Sequence, residues 1–312
     1  MAERSFGASR RNFLEGMALT LAAGALSACA TRQYFGRNVD AEGLVGTLFL
    51  PAVPPPYPAV ITLTGAEGGI EAEPAQGLAA AGFATLALAT HNAHGLPRTV
   101  RNVPLEYCER AINWLRETVR PRNDFVAVRG WSRGAELALI LGTMFPSIKA
   151  VLAYAPRGSI GLASPNFDNF SDPATPPAWT WQGKPLVFEP LPRAMFEDPD
   201  RPAPEEGRFG IPVERTAGPI LFVTGTEDEG VRMDPVVSCR RMMRRLDLFH
   251  FPYRHEHWIY ADAGHDIDRP PPFQGHVERD GALDGGGTVE GDTRAVADSW
   301  PRSIAFLREA AG

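Results

Sequence analysis

The chain has 312 residues, a formal net charge of −6 and a hydrophobic content of 44%. This length is sufficient for one large α/β core, and the composition is that of a folded globular protein. The acidic balance and the lack of Lys/Arg runs argue against a nucleic-acid-binding surface. No internal repeat at solenoid or propeller periods is present, so the sequence favours a single globular domain.

The first 28 residues have the pattern of an export signal. Residues 9–14 (SRRNFL) resemble a twin-arginine signal, and the apolar run that follows is shorter than the roughly 20 residues that span a bilayer. Leu26 to Cys29 resembles the lipobox at which bacterial lipoproteins are cleaved and acylated. We expect residues 1–28 to be removed and Cys29 to carry lipid, which makes the mature protein periplasmic or membrane-anchored. A plain signal peptide with an incidental cysteine is the alternative.

Residues 29–42 are polar and are interpreted as a linker, and alternating strand and helix patterns begin after them. Strands are expected at 44–50, 59–64, 83–90, 125–129, 150–155, 220–224 and 255–261. Helices are expected at about 73–81, 105–119, 135–144, from Pro235 onward, and at 295–311 with a kink at Pro301. This alternation predicts an α/β fold whose mostly parallel sheet has helices on both faces, within a domain covering 43–312.

Residues 157–217 interrupt the alternation, because 11 of the 29 prolines fall there. Proline disfavours long helices and strand ladders. The segment leaves the sheet near the carboxyl ends of the strands, so a cap over the site is one interpretation. A surface loop packed to one side is an equal alternative.

The pentapeptide Gly130-Trp131-Ser132-Arg133-Gly134 lies between a short apolar strand and an apolar helix. This is the setting of a nucleophile elbow, where glycines permit a tight turn that exposes a serine hydroxyl. A serine becomes nucleophilic beside a histidine that a carboxylate orients. Ser132 is therefore the predicted nucleophile of an α/β-hydrolase fold, in which the acid and then the histidine follow along the chain.

Two later turns supply the acid and the base. Asp228 follows strand 220–224 in a G-x-x-D turn and is the predicted acid, with Glu227 and Glu229 as nearby competitors. Asp234 stands before a proline and is interpreted as a helix N-cap. His265 lies in a Gly-His turn after the last strand and is the predicted base.

Backbone N–H groups are expected to bind the negative oxygen that forms during acyl transfer. One belongs to Arg133, which follows the nucleophile, and the other to Ala66 in the glycine-rich loop after strand 59–64. The pairs His91/His94 and His255/His257 are interpreted as ordinary polar residues, so no metal site is predicted. Cys108 and Cys239 lie on predicted helices, either as buried thiols or as a disulfide.

With these residues placed, the chain resembles the C-terminal catalytic domain of the acyl-CoA thioesterase and bile acid-CoA:amino acid N-acyltransferase family, within the dienelactone-hydrolase-like α/β-hydrolases. The matching segments are Gly65–Gly69, Ala81–Ala89, Leu105–Tyr107, Gly130–Glu136, Ile211–Arg215, Ala263–His265, Gly285–Gly287 and Asp298–Trp300. The resemblance implies acyl transfer through a covalent acyl-enzyme, to water in thioesterases and to an amine in the acyltransferases. Cysteine is the nucleophile associated with the acyltransferases, so Ser132 favours hydrolysis.

The sequence thus predicts a cofactor-independent serine hydrolase of a small acyl ester or thioester. Its expected membrane association is through lipid on Cys29, and no nucleic-acid partner is expected. Two alternatives remain at this point, an acyltransferase with an amine or alcohol acceptor and a lipoprotein that binds through an inactive hydrolase scaffold.

Overall fold

The computed structural model describes residues 33–158, 176–186, 210–230, 234–272 and 285–312. These residues belong to a compact unit that begins at Tyr34 and contains an eight-stranded sheet. In chain order the strands are β1 (Tyr34–Ala41), β2 (Leu44–Pro51), β3 (Ala59–Leu63), β4 (Ala84–Leu88), β5 (Val103–Pro104), β6 (Val126–Trp131), β7 (Ile148–Tyr154), β8 (Trp179–Trp181), β9 (Lys184–Pro185), β10 (Ile220–Gly225) and β11 (His255–Tyr260).

The large sheet has the order β1-β2-β4-β3-β6-β7-β10-β11. The pairs β1–β2 and β2–β4 are antiparallel, and all the others, from β4–β3 to β10–β11, are parallel. A small second sheet joins β5, β8 and β9. Because the parallel strands end at the same edge, the loops after β3, β6 and β10 meet there, which brings distant residues together.

The helices are α1 (Ala72–Ala80), α2 (Leu105–Val119), α3 (Arg133–Met144), α4 (Pro235–Leu248) and α5 (Val289–Ala311). The predicted apolar face of α2 is buried at Leu105, Cys108, Ile112 and Leu115. Asp234 caps α4 as predicted, since its carboxylate accepts the N–H groups of the second and third helical residues.

The core lies on both faces of the sheet. Alternate residues of one strand point to opposite faces, and accordingly Ile61 and Val128 belong to one buried cluster while Val60 and Ala127 belong to another. Helices α2, α3 and α4 cover the first face, and α5 covers the second. The predicted fold class, a mostly parallel sheet between helices, is therefore confirmed.

The linker prediction is wrong for residues 34–41, which form β1 and pair with the whole of β2. Glu42 and Gly43 join the two strands in a two-residue hairpin turn, with φ values of 56° and 70°. The segment looks like a linker because β1 is an edge strand, and its residues Gly36, Arg37 and Asn38 are exposed to solvent. An edge strand can carry polar residues without losing its hydrogen bonds to one neighbour.

Several predictions fall outside the described residues. These include the export signal, Cys29 and most of the 157–217 segment, so they stay predictions. Residues 176–186 of that segment are described, and their Trp179 is fully buried in the core. Within the described ranges, no helix is long and apolar enough to cross a membrane. Cys108 and Cys239 are buried free thiols, and burial raises the pKa of Cys108 to about 12.

Candidate active site

Ser132 lies at the tip of a sharp turn between β6 and α3. Its φ of 52° and ψ of −117° place it in a region that residues with a side chain rarely adopt. A Cβ atom on Gly130 would lie 2.0 Å from the carbonyl oxygen of Gly134, and one on Gly134 would lie 2.4 Å from that of Leu63. Only glycine fits at either position, so the predicted elbow is the local structure that this pentapeptide forms.

A cavity of about 370 Å³ lies next to the elbow. Its lining residues are Ala66, Glu67, Trp131, Ser132, Gly230, His265, Asp266, Arg269 and Gly285. The predicted nucleophile, base and second oxyanion donor thus border one space, although they are far apart in the sequence. Ser132 and His265 both line this cavity, and the hydrogen bonds among the described residues include none between the Ser132 hydroxyl and the His265 ring.

His265 is paired with Asp228. Its Nδ1 lies 2.9 Å from Oδ2 and 3.0 Å from Oδ1 of the carboxylate, whose side chain is fully buried. The Gly230 N–H donates to the same carboxylate at 3.0 Å and holds it in place. A carboxylate on Nδ1 keeps the proton of a neutral ring on that nitrogen and leaves Nε2 as the base. Glu227 and Glu229, the competing acids, are both exposed.

The acids around His265 shift its titration. Burial alone would lower the pKa of the imidazole, but the hydrogen bond and charge of Asp228, followed by the charges of Asp266 and Asp268, raise that pKa above its ordinary value. The imidazolium form of His265 is therefore stabilised by its surroundings. This is the electrostatic setting that a general base next to a serine requires.

Two glycines pack against the His265 side chain. A Cβ atom on Gly230 would lie 2.4 Å from the Cγ of His265, and one on Gly285 would lie 2.7 Å from its Cβ. Gly285, Gly286 and Gly287 all have positive φ, between 79° and 88°. The Gly285–Gly287 segment, noted in the sequence for its family resemblance, therefore packs closely against His265 through Gly285.

His91, interpreted from the sequence as an ordinary polar residue, holds the predicted oxyanion loop. Its Nε2 lies 3.0 Å from the Ala66 carbonyl oxygen and its Nδ1 lies 3.0 Å from the Thr90 hydroxyl. A carbonyl oxygen only accepts, so Nε2 carries the proton and Nδ1 accepts from Thr90. Asn92 donates to the Glu67 carbonyl at 2.7 Å. Burial lowers the pKa of His91, which favours the neutral ring that this pattern requires.

Arg133 is the first residue of α3, and in the same turn the Ala135 and Glu136 N–H groups donate to the Ser132 carbonyl oxygen. The N-terminus of a helix favours negative charge, which agrees with the predicted role of the Arg133 N–H group. The Arg133 side chain is buried and pairs with Glu136 at 2.7 Å. The indole of Trp179 donates to the other oxygen of that carboxylate, also at 2.7 Å, and so fixes the first turn of α3.

His255 and His257 make hydrogen bonds within the protein. His257 bonds the Thr224 hydroxyl at 2.8 Å, and His255 bonds the Tyr253 carbonyl oxygen at 2.9 Å. Burial, with a smaller effect of the Arg240 charge, lowers the pKa of His257 to about 4. In the part of the chain that the structure describes, no three His, Cys, Asp or Glu side chains cluster so that they could hold a metal ion.

Three features together define an α/β-hydrolase fold, namely the strand order, the elbow and the chain order of Ser132, Asp228 and His265. Solved structures share this fold. One is a dienelactone hydrolase-like promiscuous phosphotriesterase from metagenomic libraries, with a TM-score of 0.55 and 16% identity, over 89% of this chain and 99% of that one. Another is a Mycobacterium tuberculosis puromycin-hydrolyzing peptidase, with a TM-score of 0.55 and 16% identity, over 89% of this chain and 39% of that one.

Residues 103–312 match the family described as BAAT / acyl-CoA thioester hydrolase C terminal, and the chain belongs to that family. The acyl-coenzyme A thioesterase 1 of Rattus norvegicus is 30% identical over 277 residues, which cover 87% of this chain and 64% of that protein. The mitochondrial acyl-coenzyme A thioesterase 2 of the same species is 30% identical over 268 residues, covering 84% and 57%. The chain spans less than two thirds of the length of these relatives. The family resemblance predicted from the sequence is confirmed.

Proposed function

We propose that this protein is a serine hydrolase that cleaves an acyl thioester or ester. The observation that carries the proposal is the pairing of His265 with the buried Asp228 at the edge of the cavity that Ser132 lines. Membership of a family of thioester hydrolases supports the same chemistry. The strained backbone of Ser132 supports it too, because strain of this kind collects at functional sites.

In the proposed reaction, His265 Nε2 takes the proton of the Ser132 hydroxyl as Oγ attacks the acyl carbonyl carbon. The resulting oxyanion accepts hydrogen bonds from the backbone N–H groups of Arg133 and Ala66. Collapse of this intermediate breaks the bond to the leaving thiol or alcohol, which takes the proton from His265. Water, deprotonated by the same imidazole, then attacks the acyl-enzyme and releases the acid and Ser132.

We propose an acyl thioester as the substrate class, because both rat relatives named above are acyl-coenzyme A thioesterases. Esters share the same acyl carbonyl and the same intermediate, so they are expected as further substrates. Ser132 favours water over an amine as the acceptor, by the family resemblance described above.

The test combines covalent labelling with a substrate panel. A fluorophosphonate probe should label the protein at Ser132, and acyl thioesters and esters of varied chain length should release free acid. Ser132→Ala should abolish both, whereas Ser238→Ala, which changes a buried serine on α4, should leave both intact. Labelling that persists in Ser132→Ala contradicts the proposal, as does a purified protein that hydrolyses no member of the panel.

The proposed place of action is outside the cytoplasm, at a membrane. It rests on the twin-arginine-like residues 9–14 and on the lipobox that ends at Cys29. Mass spectrometry of the mature protein should find an N-terminal, acylated Cys29. A mature chain that lacks this modification overturns the lipoprotein proposal and leaves the proposed chemistry untouched.

A further inference from the structure

Strand β6 reaches the loop that carries His265 at two points. We call residues 262–272 the histidine loop. The Trp131 indole N–H donates to the His265 carbonyl oxygen at 2.9 Å, and the two rings lie 5.0 Å apart. Arg129 stands two residues earlier on the same face of the strand, and its Nη2 donates to the Asp268 carboxylate at 2.8 Å. The same nitrogen also donates to the Asp268 carbonyl oxygen.

The histidine loop is also tied to the helix that follows the oxyanion loop. Arg269 pairs with Glu71 at 3.0 Å and with Glu73 at 3.3 Å, at the start of α1. Arg129, Trp131, Asp268, Arg269 and Glu71 form what we call the anchor cluster. The cluster joins three parts of the chain, namely the strand that leads to Ser132, the loop of the base and the exit of the Ala66 loop.

Stability does not account for the buried pair at its centre. Arg129 and Asp268 are each 1% exposed, and removing two charges from water costs about as much as their attraction returns. Three polar atoms of the pair are buried and make no hydrogen bond with the described residues, namely Nε and Nη1 of Arg129 and Oδ1 of Asp268. Burying them without a partner adds to the free-energy cost of the pair. The guanidinium instead stacks on Tyr154, at 4.7 Å from the ring centroid. The pair does have a directional hydrogen bond, which an apolar pair would lack.

We propose that the anchor cluster positions the His265 imidazole relative to Ser132, with Arg129, Asp268 and Trp131 as positioning residues. The proposal rests on the roles given above to Ser132 and His265. Asp228, Asp266 and Asp268 are the acids whose charges act on the imidazole, and the charged residues Glu67 and Arg269 line the same cavity as His265. Because the Asp268 charge helps to hold the proton on that ring, its removal has a titration signature that a purely structural pair would not have.

The experiment compares three variants with a matched control. Asp268→Asn removes the charge at constant size, and the double change Arg129→Leu with Asp268→Leu removes the whole pair. Trp131→Phe removes the indole N–H and keeps a smaller aromatic ring next to His265. Glu214→Gln is the control, because it breaks a largely buried ion pair with Arg245. That pair links the helical turn Val213–Arg215 to α4. The rate of fluorophosphonate labelling of Ser132 is measured against pH, together with kcat and KM on the thioester panel and Tm.

Each anchor variant should lower the labelling rate and kcat by roughly 10- to 100-fold with little change in KM, since small misplacements of reacting groups have effects of that size. Asp268→Asn should also move the acid limb of the labelling rate to lower pH. The double variant should have the Tm of the wild type. The control Glu214→Gln should have a lower Tm with an unchanged labelling rate and an unchanged kcat. Wild-type rates in both Asp268→Asn and Trp131→Phe, together with an unmoved acid limb in Asp268→Asn, overturn the proposal. This holds even if the double variant does not fold.

An NMR titration of the His265 imidazole separates this proposal from the proposed function. The pKa of His265 should fall in Asp268→Asn relative to the wild type and stay constant in Glu214→Gln, whether or not Ser132 reacts. An unchanged His265 pKa in Asp268→Asn overturns the electrostatic part of the proposal. A wild type that is not labelled at Ser132 overturns the proposed function instead.

Discussion

At the scale of single residues, the site depends on side chains that touch no reacting atom. His91 shows this most simply, because one neutral ring bonds the Ala66 carbonyl on one side and the Thr90 hydroxyl on the other. The Ala66–Glu67 peptide, which directly follows the predicted Ala66 N–H donor, is thereby held next to the cavity. A preorganised donor is effective in catalysis because it needs no reorientation when the oxyanion forms.

We predict that His91→Phe lowers kcat by about 10- to 100-fold with a smaller effect on KM, because the oxyanion loop loses its fixed orientation. His91→Gln should recover part of the rate, since its amide N–H can replace Nε2 as the donor to Ala66. His255→Phe, which changes a histidine with bonds elsewhere, is the control. Steady-state kinetics on the thioester panel measures all three, and an unimpaired His91→Phe enzyme contradicts the prediction.

The meeting of Ser132, Asp228 and His265 at one edge of the sheet was predictable from the sequence, because a hydrolase sheet places such residues after particular strands in a known order. His91 and Arg129 carry no such local signal. Their partners lie 25 and 139 residues away, so only the folded chain reveals the contacts. One clue was present for His91, since it follows β4 at the edge of the sheet where the site lies.

At the scale of elements, local chemistry decided which boundaries could be predicted. The start of α4 was predictable because Asp234 precedes a proline, which is a strong N-terminal pattern. Helix α5 starts at Val289 rather than near Ala295, because Thr288 caps it by accepting the Gly291 N–H. It also continues through Pro301. Strand β1 was missed because its stability comes from pairing with β2 rather than from its own apolar pattern.

The elbow shows how neighbouring elements support a strained residue. Ser132 has a backbone conformation that costs of order 1–3 kcal/mol and persists only where its surroundings determine it. Gly134 lies against the end of β3, where a Cβ would be 2.4 Å from two carbonyl oxygens. At the other side, Trp179 and Glu136 fix the first turn of α3. The strain is therefore held by β3, by α3 and by a strand of the proline-rich segment.

At the scale of the whole molecule, the charged groups behind the site link its chemistry to the stability of the fold. Burial, followed by the negative charge of Asp268, raises the pKa of Glu71 to about 7, although Arg129 and Arg269 act in the opposite direction. The folded chain therefore keeps a proton on Glu71 at pH values where the unfolded chain has lost it. Linkage then requires the contribution of Glu71 to the free energy of unfolding to fall as the pH rises from about 4.5 to about 7.

A glutamine cannot ionise, so we predict that Glu71→Gln removes this contribution to the fall in the free energy of unfolding. Relative to the wild type, the variant should gain of the order of 1–3 kcal/mol in the free energy of unfolding between pH 5 and pH 8. The contribution of His265, whose raised pKa also lowers stability as pH rises, is present in both proteins and cancels in the difference. Urea denaturation across this pH range provides the measurement.

Glu73→Gln is the control, because it breaks only an exposed pair with the same Arg269, and exposed pairs contribute little. Parallel curves for the wild type and Glu71→Gln would show that Glu71 is ionised throughout and that the anchor cluster holds a full negative charge there.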